Sequence, residues 1–299
     1  VTITATITRE GETKTVTIKT KVGELPIIDV QDARDGYVKG ASVRVQASIT
    51  AMINARFFVL QDETGAISIY IGDNKSPFVV ASSPTQTTID GINAFWASYG
   101  NKLVELEGFY DTYNGNIYIV PMKITVKGTG STYAPTDIND VDLTKEGLAP
   151  YLAKNVSVSN LEITAKPSQQ YGNILFTLKN DKDQTISLYW DARTLLYGGN
   201  TVETITEYLN GFTVGMKVDL VGVTVNMQND STPRFEFNAL SNIKVHVEEP
   251  TTDEGKVDSA GANISIPEQT SASTITLPAT GLWGTTITWT SSNDAVINP

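Results

Sequence analysis

Cysteine is absent from this chain of 299 residues, and histidine occurs once, at His246. The first absence excludes disulfides, thiolate zinc sites and cysteine nucleophiles, so cohesion rests on packing and backbone hydrogen bonds. The second confines any Ser-His-Asp triad or imidazole metal site to one strand end, where a surface histidine is the simpler reading. Base is also scarce. Lys and Arg number 22 against 33 Asp and Glu, a net charge of −11 spread along the chain. Without a Lys/Arg stripe to neutralise phosphates, tight nonspecific nucleic-acid binding is disfavoured. No apolar run approaches ~18 residues, so no membrane-spanning helix is expected. Phosphate-cradling Gly loops, Walker motifs and nuclease-type His/Asn/Asp clusters are missing as well. The chain opens at Val1 inside a strand pattern with no basic-then-apolar leader before it, as expected of a processed product or a piece of something longer.

What is present is β patterning. Apolar residues make up 40% of the chain, enough for packed cores in two or three domains. Residues 1–22 (VTITATITREGETKTVTIKTKV) alternate Val, Ile and Thr in two runs about Arg9-Glu10-Gly11-Glu12, which reads as a hairpin. Within 24–128 five short runs follow: 41–50 (ASVRVQASIT), 55–61 (ARFFVLQ), 66–71 (AISIYI), 103–110 (LVELEGFY) and 115–120 (GNIYIV). Asp62-Glu63-Thr64-Gly65 and Tyr113-Asn114-Gly115 supply turns, the second with the Asn-Gly pair that tight hairpins favour. Residues 91–100 (GINAFWASYG) suit a short helix between the third and fourth runs.

The same order returns within 132–247, as 155–164, 173–179, 185–190, 217–225 and 234–238. There 201–210 (TVETITEYLN) fills the helical slot, between a candidate N-cap at Asn200 and a stop at Gly211. The likeness of 103–108 (LVELEG) to 218–222 (VDLVG) points to an internal duplication. Residues 248–261 (EEPTTDEGKVDSAG) are acidic and poor in apolar side chains, as a linker would be, and strand patterning resumes over 262–299.

The run FFVLQDETGAISIY at 57–70 resembles a pattern of bacterial secreted OB-fold modules, and 102–108 with 113–119 fit its later strands. That resemblance implies five-stranded barrels of the kind that accompany extracellular nucleases, phosphoesterases and surface proteins. The ends resemble atypical bacterial Ig-like repeats, through Leu277-Pro278, TITWTSS at 286–292 and VTITATI at 1–7. In that family the closing segment follows the opening one. Here the order is reversed, which implies a permuted or shared sandwich. The expected fold is therefore all-β: two OB-fold-like barrels at 24–128 and 132–247, with the closing strands of a split Ig-like β-sandwich at 1–22 and its opening strands at 262–299.

Candidate chemistry is sparse. The carboxylate pairs Asp62/Glu63, Glu105/Glu107 and Asp181/Asp183 could serve acid–base work, but Glu105 and Glu107 alternate with Val104 and Leu106 and are both expected to face solvent. Asp62 and Asp181 fall in equivalent turns, where Asp serves backbone geometry; a surface Ca²⁺ there is an alternative, without EF-hand spacing. OB-folds stack ligands on aromatics of their second and third strands, which makes Phe57, Tyr70, Tyr110 and Tyr118 a candidate ligand face, with Arg44 and Arg56 the nearby cations. Alternation sends one of Phe57 and Phe58 into the core. Tyr189 and Trp190 raise the same question in the second repeat, whereas Trp283 and Trp289 are expected to pack the sandwich core.

No cofactor is expected. An isolated two-stranded hairpin is marginal in water, so each terminal half needs its complement. Val1, Ile3, Ile7, Val16 and Ile18 on one side, and Ile275, Leu277, Ile287 and Trp289 on the other, are the expected assembly residues. The functional expectation is a non-catalytic, extracellular or cell-surface structural protein that self-associates head to tail by strand complementation into a filament. The alternative is a nucleic-acid- or glycan-binding accessory region of a secreted nuclease or phosphoesterase.

Overall fold

A computed structural model describes residues 2–10, 12–19, 23–54, 56–80, 86–170, 173–191, 202–264 and 277–290. The chain divides into two compact units, Val1–His246 and Val247–Pro299.

The first unit begins with an antiparallel hairpin of β1 (Thr2–Arg9) and β2 (Glu12–Lys19), turned at Glu10 with φ 52°. A short helix α1 (Val30–Asp35) follows, capped by Asp29, which accepts from Asp32 N at 2.7 Å. Then come β3 (Ser42–Asn54), β4 (Phe57–Gln61), β5 (Ala66–Tyr70), helix α2 (Gln86–Tyr99), β6 (Lys102–Tyr113) and β7 (Asn116–Thr129). These five strands close a barrel in the order β3-β4-β5-β7-β6, with β5 and β7 parallel. Period-two alternation explains the closure: Val43, Val45, Phe58, Leu60, Ile67 and Ile69 all point into one core. Helix α2 adds Ile92 and Phe95, whose ring lies 4.7 Å from that of Phe58. Burying one such side chain stabilises by ~1.5–3 kcal/mol. The Asn114-Gly115 turn has φ 51° and 77°, the pair of positive angles that a two-residue primed hairpin requires.

The strand order recurs. After β8 (Thr136–Asp137) and the short α3 (Lys145–Leu148) come β9 (Asn155–Gln170), β10 (Asn173–Lys179), β11 (Thr185–Trp190), helix α4 (Val202–Asn210), β12 (Lys217–Asn229), β13 (Thr232–Glu236) and β14 (Ile243–Val245). They form a seven-stranded sheet in which β9 also pairs with β12, returning the sheet on itself. The ring β9-β10-β11-β13-β12 repeats the cyclic order of the first barrel. Its core holds Phe176, Leu188, Trp190, Phe235 and Phe237. Gly108 and Gly222, matched in the sequence comparison, both fall at register shifts of their ladders. Gly222 has φ 73°.

In the second unit the expected acidic linker at 248–261 is largely helical, as α5 (Asp253–Ala262). Thr252 caps it by accepting from Gly255 N at 3.1 Å, and Asp253 and Glu254 place negative charge in the first turn. The opening strands expected over 262–299 are represented, among the described residues, by one bridge between Thr280 and Thr286. A single 3₁₀ turn, Leu282–Gly284, separates those two residues.

Candidate functional site

The outward face of β4 and β5 carries Phe57, Val59, Gln61, Ala66, Ser68 and Tyr70, by alternation with the core residues. An OB-type ligand surface would leave these exposed. Here Val59 and Ala66 are fully buried and Ser68 is 3% exposed. Their cover comes from the second barrel. Ala153, tied to β12 through Ala153 N→Val225 O at 2.9 Å, packs into one cluster with Ala51, Ile53, Val59 and Ala66. Polar contacts ring this apolar joint. Asn116 donates through Nδ2 to Met227 O at 2.9 Å and accepts from Met227 N at 2.8 Å. Asn54 donates to Glu236 at 2.9 Å, Asn238 donates to Met52 O at 2.6 Å, and Arg34 donates to Ala149 O at 3.0 Å. The face has become the joint between the two barrels.

Three of the four candidate ligand aromatics come together at the edge of that joint. Phe57 lies 4.5 Å from Tyr70 and 5.4 Å from Tyr118, and Tyr70 lies 5.2 Å from Tyr118. Arg56 sits over the Tyr70 ring at 5.3 Å. Phe57 and Tyr70 keep partial exposure, but Tyr118 is buried, and desolvation pushes its phenol well up. Tyr110 stands apart in the barrel core, edge-on to Tyr37 at 5.7 Å, its phenol also raised by burial. Tyr110 and Tyr118 are thus packing residues, a correction to the expected open face. Phe58 is the member of its pair that points inward.

The equivalent face of the second barrel is only partly buried among the described residues. Leu175 opposes Tyr189 and Thr177 opposes Ser187 across β10 and β11, and all four are half-exposed. The Arg234 guanidinium lies 4.0 Å over the Tyr189 ring. Arg234 is held by Glu236 at 2.8 Å, and the same buried carboxylate accepts from Asn226 and Asn54. Trp190, one residue on, is fully buried against Phe237, so alternation splits the Tyr189-Trp190 pair between face and core.

The carboxylate candidates serve structure. Glu105 is buried, not solvent-facing: Arg44 reaches it at 2.7 Å and Lys127 at 2.8 Å. Hydrogen bonds from Lys127, then Arg44, hold its carboxyl below the usual range. Glu107 pairs with Lys123 at 2.8 Å on the surface. Asp62 closes its turn by accepting from Thr64 N at 2.8 Å and Gly65 N at 3.0 Å, and it also accepts from Val30 N at 2.8 Å at the start of α1. In the matching turn Asn180 does this work, while Asp183 pairs with Lys179 at 3.1 Å. His246 Nδ1 lies 2.7 Å from Asp219 Oδ1 at the end of β14. Among the described residues no three His, Cys, Asp or Glu side chains converge as metal ligands would.

The hairpin residues meet in a fixed register: Ile3 opposite Ile18, Ala5 opposite Val16 and Ile7 opposite Lys14, alternating with Thr4–Thr17, Thr6–Thr15 and Thr8–Thr13 pairs. Ile7 is 62% exposed and Val16 41%. No third strand pairs with β1 or β2 among the described residues. In the C-terminal unit Leu277, Trp283, Ile287 and Trp289 are half-buried, and Trp289 Nε1 donates to Pro278 O at 2.7 Å. Val1, Ile275 and Asn200 lie outside the described residues, as do the side chains of Ile3 and Ile18.

A closed barrel of five strands, with its helix between the third and fourth, defines the OB class of fold. No protein-family model matches the chain, and no curated protein matches it. Solved structures do. The hypothetical protein ygiW of E. coli aligns at 18% identity over 34% of this chain and 89% of its own, with a TM-score of 0.24. Fission yeast Pot1 with ssDNA aligns at 10% identity over 80% and 94%, with a TM-score of 0.34. A murine DNA binding protein bound with ds DNA aligns at 9% identity over 71% and 99%, with a TM-score of 0.30. No helix among the described residues is long and apolar enough to cross a membrane.

Proposed function

We propose that this chain is a non-catalytic, extracellular structural protein, the repeating unit of a surface fibre whose copies join head to tail through strand complementation at the terminal segments. The observation that carries this reading is the β1–β2 hairpin: a two-stranded sheet with Ile7 and Val16 exposed and no third strand among the described residues. Such a sheet gains stability when another strand pairs with its edge and covers its apolar side. Charge supports the same partner. The hairpin segment 1–22 carries Arg9, Lys14, Lys19 and Lys21 against Glu10 and Glu12, whereas the segment after His246 has Lys256 as its only base amid many carboxylates. A head-to-tail contact of this kind is heterologous and propagates unless its rotation closes a ring. Sedimentation and electron microscopy of the intact chain and of a chain lacking residues 1–22 test it. Concentration-dependent polymers that vanish on deletion are expected; an intact chain that stays monomeric at high concentration refutes the reading.

A second reading has one observation in its favour, the β10–β11 face, partly exposed among the described residues, where Arg234 lies over Tyr189. On it the chain is a binding accessory region of a secreted nuclease or phosphoesterase, and the second barrel takes the ligand because the joint closes the equivalent face of the first. Titration with labelled single-stranded oligonucleotide at low salt, and with glycans, tests it through the loss expected for Tyr189→Ala.

A further inference from the structure

The two edges of the terminal hairpin are not equivalent. From Thr2 to Thr8, β1 (TITATITR) carries no charge, no proline and no glycine, and half of its residues are threonine. Beyond the Arg9–Glu12 pair at the turn, the matching stretch of β2 (Thr13–Lys19) carries Lys14 and Lys19, and Lys14 stands opposite Ile7, at a register position that belongs to the Ile/Val series. Natural sheets protect edges that must stay unpaired with charged residues, lysine above all, and a flat uncharged β-branched edge is the one that recruits another strand. By that criterion β2 is the guarded edge and β1 the competent one.

The C-terminal unit offers a segment of the same design. Residues 286–290 read Thr-Ile-Thr-Trp-Thr, uncharged like Thr2–Thr8 of β1, with Ile287 and Trp289 half-buried and the three threonines exposed. Apart from the Thr280–Thr286 bridge it has no ladder partner among the described residues. Its residue sizes also fit. Ala5 is the one small residue in the apolar series of β1, and Trp289 is the largest residue of the other segment. Setting them opposite each other in an antiparallel pair also brings Ile7 to Ile287, Thr6 to Thr288 and Thr4 to Thr290, so that large meets small and threonine meets threonine.

We propose that β1, and not β2, is the strand that joins, pairing antiparallel with residues 286–290 of a second copy of this chain in the register Ala5–Trp289. This rests on the fibre reading and assigns its edge, partner strand and register.

Because the chain has no cysteine, introduced ones report alone. Disulfides form only when Cα atoms are ~4.4–6.8 Å apart, which separates adjacent strands, ~4.8 Å apart, from strands two apart. Thr6, Thr15 and Thr288 are all exposed, so substitution there leaves packing intact. In the full chain, Thr6→Cys with Thr288→Cys is expected to oxidise to a ladder of multiples of 32.3 kDa on non-reducing gels, and Thr15→Cys with Thr288→Cys is expected to give none. A ladder from the Thr15 pair, or from neither pair while sedimentation still shows polymers, overturns the edge assignment and leaves the fibre standing. A Thr6–Thr288 disulfide confined to single chains overturns the partner as a second copy and keeps the edge. Monomers throughout, with no disulfide, overturn both.

Discussion

Replacing Asn116 by alanine removes two of the polar contacts that ring the joint between the barrels, and the cost follows from their geometry. The Asn116 amide satisfies both backbone groups of Met227, a residue 3% exposed, at 2.8 and 2.9 Å. The residue opposite Met227 in the β12–β13 ladder is Pro233, which has no N–H to give. Without Asn116, the Met227 N–H keeps a second acceptor, Asn226 Oδ1 at 3.0 Å, whereas the Met227 carbonyl loses the Asn116 donor. Two net hydrogen bonds at ~1 kcal/mol each, with ~1–3 kcal/mol for the one carbonyl left unpaired and some relief from entering water, put the loss at about 2–4 kcal/mol. Asn116→Asp sharpens the test. It keeps an acceptor for Met227 N–H but sets a carboxylate against the Met227 carbonyl, so its loss should at least match that of alanine at neutral pH and shrink as the carboxyl protonates. Urea denaturation followed by circular dichroism measures both. An Asn116→Ala chain within about 0.5 kcal/mol of the parent would refute the view that this amide seals the joint.

Two further outcomes are expected. Phe58→Ala should cost about 3–5 kcal/mol as a core truncation, and Phe57→Ala, at the partly exposed rim, clearly less; equal losses in denaturant would reverse their assignment to core and face. The Glu105 carboxyl is depressed by Lys127 and Arg44, so its contribution is fully present above the unfolded-state value near ~4.3 and is lost as pH falls through the lower folded value. Pairwise melts of parent and Glu105→Gln from pH 7 to pH 2.5 should therefore show a gap that closes on acidification, and a gap that widens would contradict the ion cluster.

The barrels were legible because their signals are local. The short β-branched and aromatic runs ARFFVLQ and AISIYI, the Asn114-Gly115 turn and the Gly211 stop each act within a few residues, and the repeated order of runs supplied the topology. The joint is less legible, although FFVL is a continuous apolar run and AISI is interrupted only by the small Ser68, and a strand largely apolar on both faces is buried on both. The aromatic residues of the same runs point instead to ligand contacts. Glu105 was misplaced for a different reason. Alternation correctly sets it outside the barrel, but Arg44 and Lys127, long side chains from the flanking strands, cover it there, and strand periodicity carries no information about such a cover. The helix after Thr252 had its capping signals, outweighed by the low apolar content of 248–261.

The joint also gives the chain a direction. Both barrels share one strand order, yet the outward faces of their second and third strands differ in kind: Val59, Ala66 and Ser68 in one, Leu175, Thr177, Ser187 and Tyr189 in the other. Exchanging their positions, or expressing the first alone, would lay a buried apolar surface open to water. The first barrel is therefore not a module to be cut out and reused, because its outer surface is finished by the neighbour that follows it.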